Sequence, residues 1–308
     1  MSGPGSSPPT MSDRPANGDG TITWAELAAA AELSLAPLLV EAAGREARWM
    51  CEEASGFAAG DWLLGSAQPA TQRGVAHLDA MLDRRLAGEP LQYVLGHWPF
   101  RGLDLAVDSR ALIPRPETEG LVDVVLSELD RVARVGGPQL VADLGTGTGA
   151  IAIAVATERP DALVWAVERS PGAVSLARAN VAGAGLVGAR LRLVQGSWFE
   201  PLDPGLAGGF AVVVSNPPYV AVGDPVDEVT RWEPPEALWS GIDGLDAIGE
   251  LLAEVGDWLC PGGAFVCELG AEQGAAALAL AERSGLIDLA VLADLSGRDR
   301  VLRACRPA

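Results

Sequence analysis

The chain has 308 residues, of which 49% are hydrophobic and 20% charged, enough to bury the core of one large domain or two ordinary ones. It carries 41 acidic and 22 basic residues, for a formal net charge of −19. A surface this negative repels phosphate backbones and anionic lipids, which argues against a general nucleic-acid or membrane-surface binder. A basic protein is the more compatible partner.

The four cysteines form no CxxC pair, and the two histidines lie far from most of them in the sequence. We therefore expect reduced thiols and no metal site among Cys51, Cys260, Cys267, Cys305, His77 and His97. The N-terminus lacks the charged and apolar regions of a signal peptide. The most apolar windows, residues 25–43 and 150–157, are interrupted by glutamates or too short to cross a bilayer. We therefore expect a cytoplasmic monomer with no membrane segment.

Residues 1–20 are rich in Gly, Pro and Ser and are expected to form a disordered tail, in which either Met1 or Met11 could be the natural start. Residues 21–88 predict a small helical domain, which begins with a capping box at Thr23 and Glu26. Its expected helices run over 35–54, ended by Gly56, and over 72–87, capped by Thr71 and ended by Gly88. Asp61 is a further expected cap. A scaffold or docking role suits this domain, because it carries no compact chemical motif.

Residues 89–113 alternate in the manner of strands on both sides of Arg101-Gly102, and this predicts a β-hairpin linker with its strands over 92–100 and 103–108. Two prolines then flank Arg115 and begin a helix expected over 117–134. Prolines are ordinary at a helix start, so Arg115 either has only that structural role or lies near an active site.

Residues 114–308 alternate strands with helices, which predicts an α/β domain with a mostly parallel, doubly wound sheet and helices on both faces. The expected strands are 140–144, 163–168, 190–195, 210–215, 263–268, 287–293 and 300–305. The expected helices are 150–158, 171–182, 244–259 and 272–283. Ligands of such a sheet bind at the carboxyl ends of its strands.

The first of these strands ends in Asp143-Leu144-Gly145-Thr146-Gly147-Thr148-Gly149, directly before an apolar helix. The glycines let the backbone turn sharply and approach a ligand, and the helix offers free N–H groups. Glu168 ends the next strand, where a carboxylate can accept from both hydroxyls of a ribose.

Two cofactors compete for this loop, a dinucleotide and S-adenosylmethionine. The spacing is Gly-x-Gly-x-Gly rather than the dinucleotide pattern, and Asp143 suits the ammonium of an amino acid better than a pyrophosphate, which favours S-adenosylmethionine. Trp198, after the third strand, either flanks an adenine or belongs to the core.

The fourth strand ends in Asn216-Pro217-Pro218-Tyr219. One interpretation is a Pro-Pro turn that closes a strand, with Tyr219 covering the edge of the core. The other is a cradle for a planar –NH2 group, in which the Asn216 side chain and backbone carbonyls accept two protons and Tyr219 packs on the plane. Beside a sulfonium methyl, this cradle predicts methyl transfer to an amide or an exocyclic amine.

The combination of Arg115-Pro116-Glu117-Thr118-Glu119 with these two motifs resembles the PrmC/HemK family of protein-(glutamine-N5) methyltransferases. Further similar stretches are Glu89–Tyr93, Gly96, Phe100, Glu233-Pro234, Ala237-Leu238, Gly241, Asp243–Leu245 and Gly297–Arg300. The resemblance implies a class I S-adenosylmethionine-dependent methyltransferase, with a Rossmann-like sheet. It also implies the substrate, the glutamine of the Gly-Gly-Gln motif in class 1 peptide chain release factors.

By the family pattern, the cofactor contacts are Gly145 to Gly149, Glu168, Trp198 and Asn216, and the glutamine is held by Asn216, Pro217, Pro218 and Tyr219. Ser197 stands where an acidic residue is expected in many relatives, which puts a carboxylate contact to adenine in doubt. Adenine-N6 DNA methyltransferases use the same Asn-Pro-Pro-Tyr motif, but the net charge of −19 argues against DNA. A non-catalytic nucleotide-binding module would require the two motifs to coincide by chance.

Overall fold

A computed structural model describes residues 21–58 and 60–308. The expected disordered tail of residues 1–20, with the choice between Met1 and Met11, lies outside the described residues. The chain divides into two compact units, one that ends at Leu95 and one from Gly96 to Ala308. The predicted linker of residues 89–113 therefore spans the boundary between the units.

The first unit is helical, with α1 Trp24–Leu35, α2 Ala43–Ser55, α3 Trp62–Gly65, α4 Gln72–Leu86 and α5 Leu91–Leu95. The predicted capping box is confirmed, because the Thr23 side chain accepts from the Glu26 amide and the Glu26 carboxylate accepts from the Thr23 amide. Thr71 caps α4, and Gly56 ends α2 with φ of 74°. Asp61 precedes α3 but makes no side-chain cap hydrogen bond.

Two predictions for this unit were wrong. Residues 35–54 are not one helix, since α1 ends at Leu35 and α2 begins at Ala43. Pro37 stands in the intervening turn, and a proline has no N–H with which to continue the ladder of α1. Residues 91–95 form α5 rather than the start of a strand, and the Val94 amide donates to the Pro90 carbonyl at 3.0 Å. Short apolar runs do not distinguish helix from strand, because neither period is complete.

The second unit begins with an antiparallel hairpin of β1 His97–Phe100 and β2 Leu103–Ala106, turned at Arg101-Gly102 as predicted. The following helices are α6 Pro116–Ala133, α7 Ala150–Glu158, α8 Pro171–Gly183, α9 Asp246–Trp258 and α10 Gly274–Arg283. The strands of the large sheet are β3 Leu140–Leu144, β4 Leu163–Glu168, β5 Leu191–Gln195, β6 Phe210–Ser215, β7 Leu259–Glu268, β8 Ile287–Ala293 and β9 Asp299–Cys305.

The seven strands lie in the order β5-β4-β3-β6-β7-β9-β8. The strands from β5 to β7 are parallel, and β9 runs antiparallel to both β7 and β8. The predicted α/β fold with a mostly parallel sheet is confirmed. The strand β7 begins four residues before the predicted Gly263, at Leu259.

Alternate residues of the central strands pack on opposite faces of the sheet. Val141, Val212 and Val214 belong to one hydrophobic cluster, together with residues of α6 and α7. Ala142 and Val213 belong to a second cluster, with residues of α9 and α10. Because both faces are covered, the central strands are mostly apolar, and their polar residues Asp143, Glu168 and Ser215 stand at the carboxyl ends or one residue before them. Within the described residues, no helix is long and apolar enough to span a bilayer.

Candidate active site

A cavity in the second unit lies at the carboxyl ends of β3, β4, β5 and β6. It is lined by residues of the loops that follow these four strands, by the segment before α6, and by the segment between β6 and α9. The sequence-predicted residues in its lining are Gly145, Thr146, Gly147, Thr148, Glu168, Trp198, Asn216 and Pro218. The predicted residues Asp143, Gly149, Pro217 and Tyr219 are outside this lining.

The glycine loop after β3 is held against the end of β4. The amides of Gly145 and Thr146 both donate to the Val167 carbonyl, each at 2.9 Å. Gly147 has φ of 56° and donates its amide to Glu168 Oε2 at 3.0 Å. A Cβ at Gly147 would meet no atom within 4 Å, so its backbone faces open space in which a ligand can approach closely.

Asp143 holds this loop from behind. Its Oδ2 accepts from Thr146 Oγ1 at 2.5 Å and from the Ala152 amide at 3.2 Å, and the residue is fully buried. Burial raises the pKa of Asp143 to about 7, against the hydrogen bonds from Thr146 and Ala152, which lower it. The carboxylate therefore positions the loop, and no exposed atom of it is available for the predicted contact with an ammonium group.

Glu168 and Trp198 line the cavity on the side of β4 and β5. Glu168 Oε1 accepts from the Ser170 amide at 2.8 Å, so the carboxylate joins the glycine loop to the start of α8. Trp198 has φ of 44°, and its Nε1 donates to Glu250 Oε2 at 2.7 Å. Its ring lies over Gly145 as part of the cavity wall, whereas the neighbouring Phe199 is the core residue. Trp198 both lines the cavity and packs against the core cluster on that face of the sheet, so its contact with an adenine stays a prediction.

The Asn-Pro-Pro-Tyr motif follows β6 at the same edge. Asn216 Nδ2 donates to Thr118 Oγ1 at 3.2 Å, and the Tyr219 hydroxyl donates to Glu268 Oε1 at 3.3 Å. The Tyr219 carbonyl accepts from Gln273 Nε2 at 2.9 Å. The predicted packing of the Tyr219 ring on a substrate amide stays a prediction, since its hydroxyl points to Glu268 and the residue is not in the cavity lining.

The two motifs meet because their strands are neighbours. β3 pairs with β6 in parallel, and Leu144 lies opposite Ser215. The Ser215 hydroxyl also donates to the Leu144 carbonyl at 2.6 Å. Gly145 follows Leu144 and Asn216 follows Ser215, so the glycine loop and the Asn216 carboxamide border one cavity, as the sequence predicted.

Comparison with known proteins matches residues 26–96 to the PrmC N-terminal domain and residues 123–232 to the methyltransferase small domain. A release factor glutamine methyltransferase of Xylella fastidiosa is 44% identical over 253 residues, which is 82% of this chain and 86% of that protein. The chain belongs to the release factor glutamine methyltransferase family. A relative of the same name from Agrobacterium fabrum is 36% identical and covers 92% of this chain and 97% of its own.

A relative of that name from Burkholderia pseudomallei is 40% identical over 83% of this chain and 89% of its own length. Among solved structures, a methyltransferase from Pyrococcus furiosus has a TM-score of 0.48 at 20% identity, covering 67% of this chain and 90% of that one. Family membership confirms the resemblance found in the sequence, and the protein is a methyltransferase.

Arg115 belongs to the lining of the cavity, so it lies at the candidate site as well as at the start of α6. Its Nη2 lies 2.6 Å from Glu233 Oε2, and Glu233 Oε1 accepts from the Ile113 amide at 3.0 Å. The Glu233 side chain is 0% exposed. Burial raises the pKa of Glu233, and the charge of Arg115 opposes this rise. The pair ties the segment before α6 to the segment between β6 and α9.

Sequence reasoning missed the roles of Glu233, Thr118 and Glu268. Glu233 and Thr118 stood in stretches already noted for their resemblance to the family, but no local pattern indicates their partners. Glu268 ends β7 as Glu168 ends β4, and a carboxylate at the end of a central strand was the available signal. No group of three or more potential metal ligands occurs in residues 21–58 and 60–308.

Proposed function

We propose that this protein transfers a methyl group from S-adenosylmethionine to the side-chain amide nitrogen of the glutamine in the Gly-Gly-Gln motif of class 1 peptide chain release factors. Its cofactor is S-adenosylmethionine, which supplies an electrophilic methyl group when bound. The observation that carries the proposal is the shared cavity of the glycine loop and Asn216, at the ends of the paired strands β3 and β6.

The residues of the cavity fit a nucleoside joined to an amino acid. Gly147 leaves open space at its backbone, the Glu168 carboxylate stands beside it, and the Trp198 ring forms a flat wall. We propose that Glu168 accepts from the ribose hydroxyls and that Trp198 flanks the adenine. We assign the remaining cofactor contacts to Gly145, Thr146, Gly147, Thr148, Gly149 and Asn216, with Asp143 acting through the loop.

An amide nitrogen is a weak nucleophile, because its lone pair is delocalised into the carbonyl. In our proposal the Asn216 side-chain oxygen and the Pro217 carbonyl each accept a hydrogen bond from one N–H of the amide. These two bonds orient the nitrogen lone pair toward the methyl group. Alignment of two bound reactants can lower a barrier by roughly 7 to 11 kcal/mol, so a strong general base is not required.

Tyr219 is unsuited to be such a base. Burial raises the pKa of its hydroxyl to about 12, and the charge of Glu268 acts in the same direction. The phenol therefore keeps its proton near neutral pH, and its O–H group donates a hydrogen bond to Glu268. In our proposal Tyr219 stabilises the loop that carries Asn216 and Pro218 and stands next to the bound amide.

The test is incubation of the purified protein with S-adenosylmethionine carrying a labelled methyl group and with a class 1 release factor, followed by mass spectrometry of the peptides. We expect the label on the motif glutamine and none on a release factor in which that glutamine is replaced by alanine. Label on the adenines of added DNA, with the release factor unlabelled, would instead support an adenine methyltransferase.

Asn216→Ala should lower kcat by about 100-fold or more, because it removes an acceptor that orients the reacting nitrogen. It should also weaken cofactor binding in a calorimetric titration. A melting temperature close to that of the wild type would show that the loss is local. Methylation by Asn216→Ala at nearly the wild-type rate would contradict the proposed role of Asn216.

A further inference from the structure

A buried chain of hydrogen bonds lies behind the Asn216 side chain. Asn216 Nδ2 donates to Thr118 Oγ1 at 3.2 Å, and Thr118 Oγ1 donates to Glu268 Oε2 at 2.7 Å. Thr118 is 4% exposed and Glu268 is 1% exposed. The chain joins three separate elements, since Asn216 follows β6, Thr118 stands in the first turn of α6 and Glu268 ends β7. Two of these groups, Asn216 and Thr118, also line the cavity.

The chain has a direction that follows from counting protons. A threonine hydroxyl has one proton to donate, and an ionised carboxylate has none. Thr118 therefore uses its proton on Glu268 and can only accept from Asn216. The Asn216 carboxamide is nearly symmetric in shape, so packing alone would allow either of its ends to face Thr118. The hydrogen bond places Nδ2 on the side of Thr118, which leaves Oδ1 for the cavity.

The pKa of Glu268 is raised overall, but the two hydroxyl groups that donate to it and the charge of Arg300 stabilise the ionised form that this direction requires. Burial raises the pKa of Glu268, and the nearby charge of Glu117 acts in the same sense. The hydrogen bonds from Thr118 and Tyr219 and the charge of Arg300 lower it. Each carboxylate oxygen accepts from a hydroxyl, one from α6 and one from the Asn-Pro-Pro-Tyr motif itself. An ionised carboxylate can only accept hydrogen bonds, so two hydroxyl donors stabilise it.

We propose that Thr118 and Glu268 are positioning residues that hold the Asn216 carboxamide with its oxygen toward the substrate, and so select a hydrogen-bond donor such as –NH2. The inference rests on the proposed function and adds to it the origin of amide selectivity. A glutamate side chain offers only acceptors near neutral pH, and its carboxylate would face the Asn216 oxygen without a proton between them. A glutamine side chain supplies the proton.

Thr118→Val removes the hydroxyl at nearly constant volume, and Thr118→Ser keeps it. In the proposal, Asn216 Oδ1 accepts a hydrogen bond from the substrate amide, and this bond strengthens as the attacking nitrogen becomes positive. Loss of the correct Asn216 orientation therefore destabilises the transition state more than it weakens substrate binding. We expect Thr118→Val to lower kcat about 10- to 100-fold with a much smaller change in KM for the release factor, as for the loss of a hydrogen bond to a charged group. Thr118→Ser should restore most of kcat. Melting temperatures of both variants give the matched stability control.

A second measurement does not depend on activity. In the wild-type protein, a nuclear Overhauser contact should join the Asn216 Nδ2 protons to Thr118 Hβ, because the two groups are hydrogen-bonded. The absence of that contact, or a Thr118→Val variant whose kcat equals that of Thr118→Ser, would overturn the positioning role. A wild-type protein that shows the contact but leaves the release factor unmethylated would contradict the proposed function and leave the positioning of Asn216 supported.

Discussion

Replacing Arg115 with methionine should destabilise the second unit by about 3 kcal/mol near neutral to alkaline pH, because it leaves the Glu233 carboxylate buried without its cation. The two groups lie 2.6 Å apart, and the side chains are 28% and 0% exposed for Arg115 and Glu233. Breaking a fully buried pair costs about 3–5 kcal/mol, and the partial exposure of Arg115 places this pair at the lower end.

The size of this effect should depend on pH with a definite sign. Burial already raises the pKa of Glu233, and removal of Arg115 takes away a charge that lowers it. A carboxyl group whose pKa is raised in the folded state destabilises the fold fully above that raised pKa, and the penalty disappears as the pH falls toward the unfolded value of about 4.3. The cost of Arg115→Met should therefore shrink from about 3 kcal/mol at about pH 8 to about 1 kcal/mol or less at about pH 5.

The assay is urea unfolding followed by circular dichroism for the wild type, Arg115→Met, Glu233→Gln and the double variant at both pH values. Because the chain has two compact units, hydrogen exchange of the Ile113 amide, which donates to Glu233, gives the local readout. The double variant should recover most of the stability lost in Arg115→Met, since no buried charge remains. A cost below about 0.5 kcal/mol, or an equal cost at both pH values, would refute this reasoning.

Two further predictions concern the loops around the cavity. Gly244→Ala should lower both kcat and stability, because Gly244 has φ of 76° and a Cβ there would overlap the Tyr219 carbonyl. The control is Gly223→Ala, which should lower stability alone, because Gly223 has φ of 99° but a Cβ there would meet no atom within 4 Å. Equal kcat values for the two variants would contradict this explanation. Asp143, whose pKa is raised to about 7, makes the folded state lose stability as the pH rises from about 4 to about 7. Asp143→Asn removes this dependence. The free energy of unfolding of the variant, minus that of the wild type, should therefore rise by roughly 2–3 kcal/mol between about pH 5 and about pH 8 in urea unfolding. A difference that stays constant with pH would contradict a buried Asp143 carboxyl with a raised pKa.

Periodicity was enough to locate the elements of the sheet. The strands Leu140–Leu144, Leu163–Glu168 and Phe210–Ser215 have the predicted bounds, because each is a mostly apolar run that either ends in a polar residue or is followed by glycine. The same reasoning failed at residues 35–54, where Pro37 stands in a turn between two helices, and at residues 91–95, where a short apolar run fits helix and strand alike. Local pattern is sufficient only where a run is long enough to show its period.

The sequence by itself determined the glycine loop, the Glu168 carboxylate, the Asn-Pro-Pro-Tyr motif and the edge of the sheet at which they meet. These features depend on local backbone chemistry and on the rule that parallel strands end at one side. Only the tertiary structure decided that Glu233 pairs with Arg115, that Asp143 is hidden behind its loop, and that Thr118 and Glu268 stand behind Asn216. Those contacts join residues about 100 or more positions apart in three of the cases, Arg115–Glu233, Thr118–Glu268 and Thr118–Asn216. No local pattern carries such pairings, because they arise when separate strands and helices pack around a shared core.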